Sequence, residues 1–322
     1  VRLLRGTAGF ELAGAVEPDP DTRRAAMTVL GLPDRLCHAS FEASVEAGAP
    51  QAAIVATSID AHVAPCRAAL ARGLAVLVEK PFTLDLGDAR RLVAEAAALK
   101  LPLMVGQNYR YMRMARALRR LLGSGELGRP GLIVAQAYRS QKEPAQALAT
   151  LRDGVLWEIS VHHLDALRCA VGRRAVRVLG QRFTLPWSEA PPGAAFQALL
   201  EFEDGPRMSF AASYDSRGHE FFERGQEFYL RAVTDRGTLH VFHRWLVWCE
   251  RGRYPRLVPR GPRPEAEEVT LLRQLERAMT TGAEPDASGR DNLQTIAILE
   301  AAARSASDGR WLNPQELLDE PL

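Results

Sequence analysis

LAVLVEKPF, residues 74–82, is an apolar run that ends abruptly in a charged pair and a proline. Its β-branched valines predict a short buried strand, which Glu79, Lys80 and Pro81 stop. In open parallel α/β sheets, ligands bind in the crevice beyond the carboxyl ends of the strands, which puts Glu79 and Lys80 where chemistry is done. Lys80 is one of only three lysines, with Lys100 and Lys142, in a chain rich in arginine. An ammonium loses its proton when desolvated and a guanidinium does not, so a lysine here has a chemical use. A strand capped by a solvated Glu-Lys pair and a turn proline is the competing reading of the same residues, and the two stand level.

On either side of this strand, helical and strand patterns alternate. Val1–Thr7 reads as the tail of a helix and Phe10–Val16 as a strand closed by Glu17-Pro18-Asp19-Pro20-Asp21. Asp19 is placed to cap a helix running to Leu30, with Pro20 at its first position. A short strand at Leu36–Ser40, a helix at Phe41–Ala47 and a strand at Gln51–Ala56 follow, the last ending in the polar turn Thr57–Asp60. The helix Ala61–Arg72 leads into LAVLV; an amphipathic helix, Leu84–Leu99, and a strand, Leu101–Val105, complete the series. Such alternation predicts βαβ units and a doubly wound parallel sheet.

A dinucleotide-binding unit of this kind carries G-x-G-x-x-G about 20 residues before the acid that binds the ribose. Glu17 has only sixteen residues before it, so the loop falls at or before Val1, and Gly6 and Gly9 sit inside a helix-to-strand connection instead. Either the first strand and glycine loop are missing from the sequence or the protein dispenses with them. The first is the expectation, because losing that strand would empty the centre of the sheet and expose its apolar neighbours.

The second half is strand-rich. Gly131–Tyr138 begins a strand, Leu156–Val171 reads as a helix, and alternating segments follow at 176–184, 196–203, 208–214, 227–233, 238–242 and 246–250. Asp204-Gly205 and Asp235-Arg236-Gly237 have the composition of hairpin turns. Helices at Ala266–Thr281 and Ser288–Ser307 close the chain after a proline- and arginine-rich loop at 255–264. The reading is an open, mainly antiparallel sheet with helices, one face of which needs cover from helices or from another subunit. Residues 1–110 are expected to form a dinucleotide-binding domain with its first strand missing, and 111–322 an α+β domain for substrate and oligomer contacts.

Composition agrees with a two-domain globular chain: 322 residues, 47% hydrophobic, net charge +2. The charges are interleaved, so no nucleic-acid or membrane-surface arm is indicated. Cys37, Cys66, Cys169 and Cys249 lack C-x-x-C spacing, which points to a reduced, cytoplasmic protein without a zinc or disulfide framework. No apolar run reaches spanning length and the start lacks a signal-peptide layout.

Glu79-Lys80-Pro81 after a strand, VGQNYRY at 105–111, ALRRLLGSGELGRP at 117–130 and WEISVHHLDALRCAVG at 157–172 together resemble the glucose-fructose oxidoreductase and inositol dehydrogenase (Gfo/Idh/MocA) family. The resemblance covers nearly the whole chain. It implies a Rossmann domain, a C-terminal domain with an open antiparallel sheet, and NAD- or NADP-dependent oxidation or reduction of sugars, polyols or related alcohols. It places Lys80 at the family's active-site lysine and His162 at its catalytic histidine, with Glu158 where aspartate is usual. It also puts Glu17 at the ribose, Thr57, Ser58 and His62 along the cofactor with Glu79 and Lys80, and Asn108 and Arg110 near nicotinamide and substrate.

The chemistry of these residue types supports that placement. Oxidising a secondary alcohol needs a base for the hydroxyl proton, a cation to steady the alkoxide and a nicotinamide within reach. His162 is expected as the base, Lys80 as alkoxide stabiliser and proton relay, and Glu158, four residues from His162 on one helix face, as positioner. His163, a hundred degrees away on the helix, is a packed histidine or a second substrate contact. Trp157 is core, or a stacking surface for a sugar ring. His62 caps or packs against its helix unless it lines the cofactor. Asp165 reads as a helix-surface acid, and Arg113, Arg116 and Arg119 as a solvated face, leaving Arg110 as the arginine with a ligand role. A carboxylate at Glu17 favours NAD over NADP, a choice that Arg23 and Arg24 soften. No metal ligand cluster is expected.

Two other functions remain at this point: an NAD-dependent enzyme that cleaves or eliminates a glycoside through transient oxidation, and a non-catalytic sensor that lacks the phosphate loop. The expected partners are a sugar or polyol and a second copy of the chain, with neither nucleic acid nor membrane.

Overall fold

The computed structural model describes residues 7, 9–139, 153–188, 193–215, 226–242 and 245–321. The expected helix tail at 1–7, with Gly6, and Lys142 lie largely outside them. The N-terminal part holds β1 (Ala15–Val16), α1 (Pro20–Leu30), β2 (Cys37–His38), α2 (Phe41–Gly48), β3 (Ala52–Val55), α3 (Val63–Ala71), β4 (Ala75–Val78), α4 (Leu86–Leu99) and β5 (Leu103–Val105). The order and the parallel pairings are those of a Rossmann-like unit, as expected.

The parallel strands fall into two sheets, β1–β2 and β3–β4–β5, with no ladder joining them among the described residues. The strand expected over 10–16 forms only at Ala15–Val16; Phe10 instead packs against the apolar cluster that contains Leu77, Met104 and Leu275. α1 begins as the sequence requires: the Asp19 carboxylate accepts the Thr22 N–H at 2.7 Å, and Pro20 opens the helix. Yet α1 buries no residue, Val29 is 65% exposed, and Val16 and Ile54 are exposed on their strands.

β4 contrasts with this sparse region. All four of its residues are buried. Val76 and Val78 pack with Leu70, Ala89 and Leu92 of α3 and α4, whereas Ala75 and Leu77 pack on the opposite face with Met104, Leu271 and Leu275. A strand covered on both faces reads as a continuous apolar run rather than an alternating one, which is why LAVLV carries no polar residue.

After a 3₁₀ turn at Asn108–Tyr111 come α5 (Arg113–Gly123) and β6 (Pro130–Arg139), then a π-helical turn at Leu156–Ser160 that continues directly into α6 (Val161–Val171). The strands β7 (Ala175–Phe183), β8 (Ala195–Phe202), β9 (Arg207–Ser213), β10 (Gln226–Thr234), β11 (Gly237–Phe242), β12 (Trp245–Glu250) and β13 (Arg256–Leu257) form with β6 an eight-stranded sheet, ordered β13-β12-β11-β10-β6-β9-β8-β7. Every pairing is antiparallel except β6 with β9. The turns at Asp204-Gly205 and Asp235–Gly237 join the strands they were expected to join.

The chain ends with α7 (Glu267–Thr281), α8 (Gly289–Asp308) and α9 (Pro314–Asp319). α7 covers the N-terminal sheet through Leu271, Leu272 and Leu275, so the last helices return to the half of the molecule where the chain began. α8 lies against β7 so closely that a Cβ on Gly180 would come within 2.2 Å of the Ala302 carbonyl oxygen. The Ser305 hydroxyl accepts the Gly180 N–H at 3.0 Å in the same contact. This long helix bridges β7 and α4, fixing the large sheet against the parallel one.

Candidate active site

The ladder of β4 runs one step past its assigned end, with the Glu79 N–H donating to the Val55 carbonyl at 2.8 Å and the Gly106 N–H to the Val78 carbonyl at 2.7 Å. The chain then turns at a cis Lys80–Pro81 peptide, and Phe82 is wholly buried, which anchors the turn at roughly 1.5–3 kcal/mol. His62, 1% exposed, donates from Nδ1 to the carbonyls of Pro81 at 3.0 Å and Phe82 at 3.3 Å. Lys80 is thereby projected away from its strand into the other half of the molecule. Its Nζ donates to the Glu158 carbonyl at 3.1 Å and pairs with Glu158 Oε2 at 3.1 Å.

Glu158 stands in the π-helical turn and His162 in the first turn of α6. The expected helix from 156 to 171 is therefore α-helical only from Val161, and its wider first turn offers the Glu158 carbonyl as well as the carboxylate to Lys80. The His162 ring stacks on Tyr109, centroids 4.1 Å apart and planes 17° apart, and its Nδ1 is buried without a hydrogen-bond partner. Burial, then the Lys80 charge, then His163 and Arg139, hold its imidazole well below the usual histidine range. His162 is thus neutral near pH 7 and able to accept a proton.

His163 has a different setting. Its Nδ1 bonds to the Ile159 carbonyl at 3.1 Å, and its ring stacks on Phe228 at 5.4 Å and meets Tyr109 edge-on at 5.3 Å. Burial pushes its imidazole down to about 4. Trp157, 6% exposed, belongs to the apolar core.

Other polar groups near the strand ends lack partners. Gln107, at the carboxyl end of β5, is fully buried, and neither Oε1 nor Nε2 finds a hydrogen bond. Asn108 donates to Glu268 at 3.3 Å while its Oδ1 stays unpartnered. The Tyr214 hydroxyl is likewise buried and unpartnered, and burial, then the Glu158 charge, push its phenol up. Buried amides and hydroxyls left unpaired cost free energy, and such groups mark where a bound molecule or water completes the site. Gln107, Tyr109, Arg139 and Tyr214 were not among the residues singled out from the sequence. Gln107 and Tyr109 flank Asn108 and were within reach of that reading; Arg139 and Tyr214 come together only through the register of β6 and β9.

Two expectations are corrected. Arg110 does not face the Lys80–His162 cluster: its side chain is 1% exposed and bound to Asp165 through Nε at 2.5 Å and Nη2 at 2.7 Å, to Asp291, and to the Asp286 carbonyl. Asp165 is not a surface acid but 1% exposed, accepting also from Arg168, Thr295 and Asn292. Burial pushes the Asp165 carboxyl up, but Arg110 and then Arg168 outweigh it and hold it below the usual range. The neighbouring arginines are likewise engaged, Arg113 with the Gly261 carbonyl, Arg116 with the Tyr111 carbonyl and Arg119 with Asp286.

The residues expected along a cofactor lie at strand ends. Glu17 follows β1 and accepts the Asp19 N–H at 3.0 Å; Arg23 donates to the Glu17 carbonyl at 2.6 Å, and Arg24 pairs with Asp21. Thr57 and Ser58 are exposed after β3, with the Thr57 hydroxyl donating to the Ala61 carbonyl at 3.2 Å. Glu79 is exposed beside Gly106. These positions, with the unpaired Gln107 carboxamide, fit a dinucleotide laid along the carboxyl ends of the strands.

Residues 2–107 match the model of an oxidoreductase family described as an NAD-binding Rossmann fold, and residues 115–253 match the GFO/IDH/MocA C-terminal domain. The chain is 26% identical to a D-apiose dehydrogenase of Paraburkholderia graminis over 97% of this chain and 85% of that one. It is 36% identical to an inositol 2-dehydrogenase of Streptomyces avermitilis over 63% of this chain and 57% of that one. In fold it superposes on an oxidoreductase from Agrobacterium radiobacter, solved with NAD+, L-tartaric acid and magnesium, with a TM-score of 0.87, 21% identity, and coverage of 98% of this chain and 95% of the other. An inositol dehydrogenase homologue from Azotobacter vinelandii, solved with NADH and myo-inositol, gives 0.80, 22% identity, and 97% and 93% coverage.

Proposed function

The chain belongs to the GFO/IDH/MocA family of NAD-binding oxidoreductases, and we propose that it is a dehydrogenase acting on the CH–OH group of a sugar, polyol or related hydroxylated small molecule. The observation that carries this reading is the meeting of Lys80 Nζ, 3.1 Å from Glu158 Oε2, with a desolvated neutral His162 at the carboxyl end of β4. Bound NAD, held by Glu17, Thr57, Ser58 and the Gln107 carboxamide, would supply the acceptor for the hydride of the carbinol carbon. His162 receives the hydroxyl proton, for which its depressed proton affinity keeps it available. Lys80 donates a hydrogen bond to the oxygen as negative charge grows there, and Glu158 aims the ammonium. Tyr109, stacked on His162, fixes the plane of the imidazole. The unpaired amide of Gln107 and Asn108 Oδ1 are the protein's hydrogen-bonding groups for a nicotinamide carboxamide. Arg110, His163 and Trp157 hold the site from behind.

The cofactor assigned is NAD rather than NADP. Glu17 supplies a carboxylate for ribose hydroxyls, and Arg23 and Arg24, which could have met a 2′-phosphate, are committed to the Glu17 carbonyl and to Asp21. The domain division falls at the 3₁₀ turn 108–111. A second copy covers the outer face of the large sheet, where Leu132, Leu199, Val233, Phe242, Trp245 and Leu257 are exposed. The four cysteines are free, which fits a reducing, cytoplasmic location; among the described residues no helix is long and apolar enough to cross a membrane.

The test is NADH formation over a panel of sugars and polyols by the wild type, Lys80→Ala and His162→Ala. Turnover that both substitutions lower by orders of magnitude while NAD still binds is expected; normal rates in both would refute the assignment.

A further inference from the structure

We infer that Arg139 and Tyr214 form a carboxylate-binding subsite beside Lys80 and His162, so that the preferred substrate is a hydroxylated acid, such as an aldonate, rather than the neutral sugar. The inference rests on the proposed dehydrogenase reading and narrows its substrate.

β6 and β9 are the one parallel pair of the large sheet among the described residues, and Tyr138 lies opposite Ser213. The next residues, Arg139 at the end of β6 and Tyr214 just past β9, therefore lie side by side at the carboxyl ends. Both belong to the face that carries Ala137 and Ala212, each 2% exposed, and that face meets α6, since the Phe210 ring lies 6.5 Å from His163. Tyr214 is 3% exposed, and its hydroxyl faces the Arg139 guanidinium while making no hydrogen bond to any other described residue.

Charge sharpens the point. Lys80 is balanced by Glu158 at 3.1 Å, and His162 is neutral. Arg139, whose charge reaches His162, has no ion-pair partner among the described residues. Among the described residues Arg139 is thus a positive charge without a counter-charge beside a phenol, and partly buried charge of this kind calls for one. A guanidinium fork matches a planar carboxylate with two parallel N–H donors, and the phenol adds an O–H donor. A phosphate dianion would need a second unpaired cation, and Lys80 is engaged.

The test compares initial rates of NADH formation with neutral sugars, the matching aldonates and the matching sugar phosphates. The wild type is expected to show its highest kcat/KM with an aldonate. Arg139→Gln should lower the aldonate-to-neutral ratio of kcat/KM roughly 10- to 100-fold, mainly through KM, and Tyr214→Phe only a few-fold. If Arg139→Gln does not fold, Arg139→Lys, which keeps the charge and loses the fork, should lower that ratio about tenfold. A wild-type preference for the neutral sugar or the phosphate, or a ratio unmoved by these substitutions, overturns the inference. Failure of the dehydrogenase reading has a different signature: Lys80→Ala and His162→Ala would be as fast as the wild type on whichever compound is oxidised.

Discussion

Two polar clusters share the short helix α6 and are built on opposite principles. Around Asp165, the guanidinium of Arg110 finds Asp165, Asp291 and the Asp286 carbonyl, and Arg168 finds Asp165, Asp291 and Thr295. Among the described residues only Asn292 Oδ1 is left over there. At the other cluster, His162 Nδ1 and, at the strand ends, the Tyr214 hydroxyl, both ends of the Gln107 amide and Asn108 Oδ1 make no hydrogen bond among the described residues. A closed network holds 3₁₀ turn, α6 and α8 together and has no capacity for a ligand. An open one costs stability in the free protein and regains it when substrate and cofactor complete its hydrogen bonds. Arginine content alone does not tell scaffold from site; the state of the partners does.

Substitutions in the two clusters should therefore separate turnover from stability. The largest effect is expected from His162→Ala and Lys80→Ala, which remove a proton acceptor and an alkoxide donor and should lower kcat about 10²- to 10⁴-fold while the unfolding midpoint moves little. Asp165→Asn should do the reverse. Removing the buried Asp165 charge leaves Asp291 alone to balance both Arg110 and Arg168 and costs up to about 3–5 kcal/mol, read as a fall in urea midpoint, with KM little changed in the folded fraction. Equal loss of stability in both sets would erase the distinction.

Much of the fold and the core of the site were legible because they are local. LAVLV is apolar throughout since both faces of β4 are covered, and the EKP turn follows it directly. Asp19 and Pro20 begin α1 as their chemistry dictates. What escaped depends on partners far away in sequence. Arg110 sits in a segment shared with cofactor-lining positions, and only the approach of Asp165 and Asp291 makes it a clamp. Arg139 and Tyr214 meet through strand register, which no spacing rule encodes. The strand at 10–16 is short, with Phe10 in a tertiary apolar cluster instead of a ladder.

Smaller effects refine the contrast. His163 belongs to the scaffold, and its imidazole at about 4 lies below the unfolded value of about 6.5. The unfolded chain therefore binds more protons between these values, and the stability His163 contributes, fully present above about pH 6.5, is lost as pH falls toward 4, on the order of 3 kcal/mol. His163→Phe, which keeps a ring against Phe228, should flatten that part of the stability–pH curve. The smallest change is expected at the exposed Arg67–Glu95 pair, where Arg67→Ala should cost less than about 1 kcal/mol in the same urea experiment.

The most direct test of the central claim, that a neutral His162 works beside a charged Lys80, is the pH dependence of kcat/KM in the wild type, Lys80→Arg and Lys80→Met. Burial and the Lys80 charge depress the imidazole, so the acid limb should lie well below the ordinary histidine value of about 6.5. It should stay low in Lys80→Arg and move toward higher pH in Lys80→Met, where the neighbouring charge is gone. An acid limb at or above 6.5 in the wild type, or one indifferent to the charge at residue 80, would contradict the account.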